Sequence, residues 1–213
     1  MKSWIARHGR RLAVASMAIL LAAVPTASAP SAAAAGDGTS ISVTGLPETL
    51  RPPLFLARPA AGGGYVRLRD LGTSRTMDLD LPSGSTVEAG PIPVSNYERW
   101  YPVHRFQTVA NGGSTIVFTY RHEYLITVAK WSTGPAASSP LGVVMGDLSG
   151  GPAWVPDGGW FGITATAKPG WRFLHWGVFS PNEGAQQSRV SSLSATLRVQ
   201  VHGPLLLVAG FGQ

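Results

Sequence analysis

The side chains best placed by sequence to meet a ligand are Trp154 and Trp160, which flank the turn residues Pro156-Asp157-Gly158-Gly159. An indole beside a turn offers a flat apolar face on which a sugar ring can stack. Against that stands core packing, the commonest fate of a large aromatic residue. Asp78 and Asp80 share one face of an alternating segment, but a calcium cage needs roughly six to eight oxygen ligands, so a solvated strand face accounts for them. His104, His122, His175 and His202 lack metal-ligand spacing, and His122-Glu123 reads as a structural pair. Nucleophile chemistry has no foothold: there is no G-x-S-x-G elbow, no cysteine and no Asp-Thr-Gly or Asp-Ser-Gly. Leu46-Pro47-Glu48-Thr49 opens like a sorting signal, yet Leu50 stands where glycine is needed. These residues predict no enzyme, no catalytic residue, no metal and no cofactor.

The elements that must hold these residues begin after an export segment. Lys2, Arg7, Arg10 and Arg11 precede an apolar run from Leu12 to Val24, which Pro25 breaks ahead of small residues through Ala35. Charge, apolar core and small-residue exit in that order mark a secretory signal over residues 1–35, with cleavage after Ala29 or Ala35. The other reading is an uncleaved anchor, which would be the chain's only contact with membrane. Four of the 17 Lys and Arg lie in that segment and none of the 11 acidic residues does, so the remainder carries 13 against 11. With no basic stripe in it, a nucleic-acid partner is not expected. An exported chain without cysteine has no disulfide staples, so packing alone must hold it.

Beyond Thr39 the apolar residues alternate, and turn chemistry interrupts them about every 8–12 residues, the pattern of an all-β, mostly antiparallel protein. Met77, Leu79 and Leu81 alternate with Asp78 and Asp80, and Asn111-Gly112-Gly113 is a hairpin signal. Residues 36–120 are therefore expected to form a β-sandwich of about seven strands. Ser114 to Lys130 contains neither Gly nor Pro, so the chain should pass into the next unit on one continuous strand and couple the two rigidly. Residues 132–151 read as a loose segment. Gly36–Gly45, just after the signal, is a candidate free strand for completing a neighbour's sheet.

Phe161, Ile163, Ala165 and Ala167 alternate with small residues, Lys168-Pro169-Gly170 turns the chain, and the return strand is Trp171-Arg172-Phe173-Leu174-His175-Trp176-Gly177. Strict alternation puts Trp171, Phe173 and His175 on one face and Arg172, Leu174 and Trp176 on the other. Together with Tyr124-Leu125-Ile126-Thr127-Val128 and the closing Ala209-Gly210-Phe211, this resembles the divergent internalin-type B-repeat, or bacterial repeat domain. The likeness covers residues 121–213; Gly177 directly after Trp176 and the long 130–151 stretch depart from the pattern. The resemblance implies a small β-grasp-like module in secreted surface proteins, with Trp171 and Trp176 in its core. It implies a non-catalytic structural or adhesive role, with other envelope proteins or surface glycans as partners. Two alternatives stand beside it. One is a carbohydrate-binding module using Trp154 and Trp160; the other is an accessory domain related to archaeal thermopsin-type secreted peptidases. The sequence leaves the oligomeric state open.

Overall fold

The computed structural model describes residues 38–68, 71–111, 114–133, 142–146, 152–181 and 189–213. The expected export signal lies outside the described residues, as do Gly112 and Gly113 of the hairpin turn. Among the described residues every regular element is a strand.

The first half of the chain contributes β1 (Thr39–Thr44), β2 (Phe55–Arg58), β3 (Val66–Arg67), β4 (Thr76–Leu79) and β5 (Thr86–Ala89). These are followed by β6 (Ile92–Ser95), β7 (Glu98–Pro102) and β8 (Phe106–Thr108). Then comes β9 (Thr115–Thr133), 19 residues without a break. Its β-branched and aromatic content, with no Gly or Pro, lets the pleat run on where other strands stop. Two layers face each other in this half. β1, β4 and the start of β9 form one, and β3-β2-β5-β8 the other. Ile41, Val43, Ile116 and Phe118 from the first meet Phe55, Val87 and Ala89 from the second, all buried. The rings of Phe55 and Phe118 touch across the layers at 5.2 Å. The expected sandwich is present.

The second half adds β10 (Gly142–Gly146), β11 (Ala153–Pro156), β12 (Trp160–Ala167) and β13 (Arg172–Phe179). β14 (Arg189–Ser192), β15 (Thr196–Gln200) and β16 (Leu205–Gly212) complete it. β14-β13-β16-β9 form one layer and β10-β12-β15 the other. Between them lie Ile126, Trp176, Leu207, Ala209 and Phe211 against Phe161, Ile163, Ala165 and Leu197. β10 corrects one expectation: the segment read as loose contains a strand, paired antiparallel with β12 from Gly142↔Ala167 to Gly146↔Ile163.

Among the described residues two pairings are parallel, and both use β9. β1 runs beside its beginning, Ser40↔Thr115 to Thr44↔Thr119, and β16 beside its end, Leu205↔Ile126 to Gly212↔Thr133. They lie on opposite edges. Tyr124 pairs with both Glu98 and Val155, and Ile126 with both Ala153 and Leu205. One edge of β9 therefore carries β1 then β11, and the other β7 then β16. β1 is not a free strand: its second edge is taken by β4, Thr39↔Leu79 to Ser42↔Thr76. It is followed by Gly45, whose φ of +79° and the closeness of the Tyr120 carbonyl to where a Cβ would stand admit glycine alone.

β13 departs from strict alternation. Its register against β16 shifts between Phe173↔Phe211 and His175↔Gly210, leaving Leu174 as the extra residue of a β-bulge. The bulge brings Phe173 and Trp176 to the same, core side, where their rings meet at 5.8 Å, and sends His175 to the opposite face. The expected grouping of Phe173 with His175 is thereby corrected. Trp176 is fully buried, its Nε1 donating to the Ala195 carbonyl at 3.0 Å, and Trp171 packs half-buried on the same core.

Candidate functional site

Polar and aromatic side chains concentrate where β7, β9 and β11 lie side by side, between the two cores. The register sets Arg99 opposite Glu123, Trp100 opposite His122, and Trp154 opposite Leu125. Alternation then sorts them by face.

On the core-facing side, the His122 ring stacks on Trp100 at 4.5 Å and 3° and tilts against Tyr124 at 4.5 Å. Trp100 packs against the first core and Tyr124 against the second, so His122 bridges two apolar clusters. Its Nε2 lies 2.7 Å from Glu98 Oε1. The expected histidine–carboxylate pair exists, but its carboxylate is Glu98 across the ladder rather than Glu123 next in the chain. Neighbours along a strand point to opposite faces, which no reading of adjacent letters conveys.

On the other face Glu123 is 1% exposed. Arg99 Nε donates to its Oε2 at 2.9 Å and Arg121 Nε to its Oε1 at 2.8 Å. Arg99 also lies over two rings, 4.4 Å from the centroid of Tyr101 and 4.1 Å from that of Trp154. A buried carboxylate is tolerable only when its charge is met; two guanidiniums meet it here, one of them covered by aromatic rings. The arrangement clamps β7, β9 and β11 together, with neither carboxylate oxygen left facing a reactant.

Trp154 therefore stands half-buried with one ring face covered by Arg99. Trp160 is 56% exposed and has Arg198 4.8 Å from its ring centroid. It begins β12, in the other layer. The two indoles make no contact with each other, so they do not form one stacking platform. Asp78 and Asp80 are both exposed on and just after β4, and Asp78 faces Ser40 of β1. His202 Nδ1 lies 3.1 Å from Asp157 Oδ1 beside the turn that separates the two indoles. No group of three or more His, Asp or Glu placed to hold a metal ion occurs among the described residues. Leu46–Leu50 is a tight turn, Leu50 N donating to the Pro47 carbonyl at 3.0 Å.

Sequence reasoning did not single out a second place, the outer face of β13-β16-β9. There the register sets three rows: Phe179–Leu206–Thr127, Gly177–Val208–Ala129 and His175–Gly210–Trp131. Two adjoining hollows of about 360 Å³ and about 310 Å³ open on this face and share Phe179 and Val208. The signal that would have found it is a glycine inside each of two neighbouring strands, Gly177 and Gly210, which marks a bulge or a close approach.

Fold and clusters together define an all-β protein built as two two-layer packings that share one strand. No family model matches the chain, and no curated protein matches its sequence. Two solved structures are similar at a low level. The Bacillus anthracis TIE protein matches with 13% identity and a TM-score of 0.27, over 83% of this chain and 34% of that one. The major pilin from Streptococcus pyogenes matches with 9% identity and a TM-score of 0.28, over 83% of this chain and 98% of that one. This chain thus spans about a third of the first of these. At such likeness the architecture is read from this chain alone.

Proposed function

We propose that this chain is an exported, non-catalytic structural or adhesive module of the cell surface. In this reading residues 1–35 are its export signal, and residues 121–213 are a divergent B-repeat-like unit following a sandwich at 36–120. The observation that carries the structural role is the course of β9. That strand is about 60 Å of contour at 3.3 Å per residue, and it contributes side chains to both cores. β1 begins beside one end of it and β16 finishes beside the other, each parallel to it on opposite edges. Tension drawn between those two strands acts along their axes, across the ladder hydrogen bonds. All the bonds of each pairing then share the load instead of opening in turn.

Single-molecule pulling tests this. Handles at Gly38 and Gln213 load β1 and β16 in shear; handles at Gly38 and Asp80 unzip β1 from β4 pair by pair. The first geometry is expected to rupture at clearly higher force, and equal forces would refute the load-bearing role. Fractionation of the producing cell should find the chain in the envelope or medium; retention in the cytosol would refute export.

A further inference from the structure

The outer face of β13-β16-β9 is a trough. Its floor is made of small and branched residues, Val208, Gly210 and Ala129, and aromatic rings rise along both sides. The glycines are there for the rings. A Cβ on Gly177 would lie 2.9 Å from Phe179 Cε2, and one on Gly210 would stand 3.0 to 3.3 Å from three atoms of the His175 ring. Phe179 and His175 thus lie down over glycine and turn ring faces outward. Across the trough Trp131 is 50% exposed, with its ring centroid 6.2 Å from that of His175. At the far end Tyr97, 40% exposed, reaches in from the turn between β6 and β7 and closes the wall. Its carbonyl is held there by Leu125 N at 2.9 Å.

We propose that this trough binds a neutral polysaccharide, as an inference independent of the load-bearing role. Exposed indole and phenol rings facing a groove match the apolar faces of pyranose rings. Hydroxyls sit between them: Thr127 and Ser180 line the first hollow along with Tyr97. The Thr127 hydroxyl makes only a long, 3.5 Å contact with the Leu205 carbonyl, which leaves it able to serve a ligand. None of the described residues lining either hollow is Asp, Glu, Lys or Arg, a lining that suits a neutral ligand. From Thr127 to Trp131 β9 advances about 13 Å, room for a short oligosaccharide stretch rather than one sugar. Because one wall comes from the first half of the chain and the rest from the second, the site exists only when the two are docked.

The test is titration of the full chain, by tryptophan fluorescence and calorimetry, with neutral oligosaccharides: β-linked glucose, β-linked N-acetylglucosamine, α-linked mannose and β-linked galactose. At least one is expected to bind. Trp131→Ala and Tyr97→Ala should each weaken it tenfold or more, whereas Trp154→Ala and Trp160→Ala should leave it within twofold. Both trough residues are largely exposed, so the variants should keep the wild-type melting temperature, which circular dichroism checks. Three outcomes overturn the inference: no binding across the panel, binding unaffected by both trough variants, or loss of self-association rather than of sugar binding in Trp131→Ala. None of them bears on the pulling experiment.

Discussion

At the scale of single residues, the junction shows how a costly group becomes a fastening. A carboxylate as deeply buried as Glu123 would destabilise the fold if alone, and here it ties β7 to β9 because Arg99 and Arg121 both reach it. Tyr120 is a quieter example. It is 3% exposed, and its hydroxyl donates to the Gly90 carbonyl at 3.0 Å. Burial raises its pKa above the usual value of about 10. The folded state thus prefers the neutral phenol. That preference adds stability in full below about pH 10 and is lost as pH rises beyond it toward the folded value. The melting temperature is expected to be flat through mild alkali and to fall above about pH 10. Tyr120→Phe should reduce that fall while costing about 1 kcal/mol at neutral pH for the lost hydrogen bond. Tyr124, raised by burial and then by Asp157 and Glu98, acts in the same direction, so part of the fall should persist. A wild-type profile unchanged to pH 12 in thermal melts would contradict this account.

At the scale of elements, the deciding feature is one inserted residue. If Leu174 took a regular place in the ladder instead of bulging, strict alternation from Phe173 would turn Trp176 to the trough and His175 into the core. The bulge prevents that and puts Phe173 and Trp176 side by side against Phe211. Deleting Leu174 is therefore expected to keep the fold, because Phe173↔Phe211 and His175↔Gly210 then follow one another directly, with Phe173 and Trp176 still facing the core. A slip that turned the fully buried Trp176 outward would cost about 3–5 kcal/mol, a large share of the 5–15 kcal/mol that holds a typical domain, and this holds the register in place. Near-UV circular dichroism of the deletion should retain the fixed tryptophan environment. Loss of that signal would show that the bulge is needed for the packing of Trp176.

At the scale of the whole molecule, β9 makes two cores behave as one. Its even-numbered residues from Ile116 to Val128 face the cores throughout, and His122 packs between the aromatic residues of both. A break in either core must disturb the strand the other relies on. Native-state hydrogen exchange should give amides in the β1–β9 ladder and in the β16–β9 ladder the same opening free energy. A difference above about 2 kcal/mol between the sets would mean that the halves open separately.

Much of this was readable in the letters. The period-two pattern announced an all-β chain, and the uninterrupted Ser114 to Lys130 stretch announced the shared strand, because local propensity and the alternation of faces are properties of short segments. The absence of cysteine likewise required a protein held by packing. What the tertiary structure decided concerns partners distant in sequence. It paired His122 with Glu98, 24 residues away, and placed Arg99 on Trp154. It put the Leu174 bulge against β16 and gathered Trp131, Phe179 and Tyr97 around one trough. Such contacts follow from strand register, which is set by how two sheets bury their apolar faces together. No window of neighbouring residues contains that information.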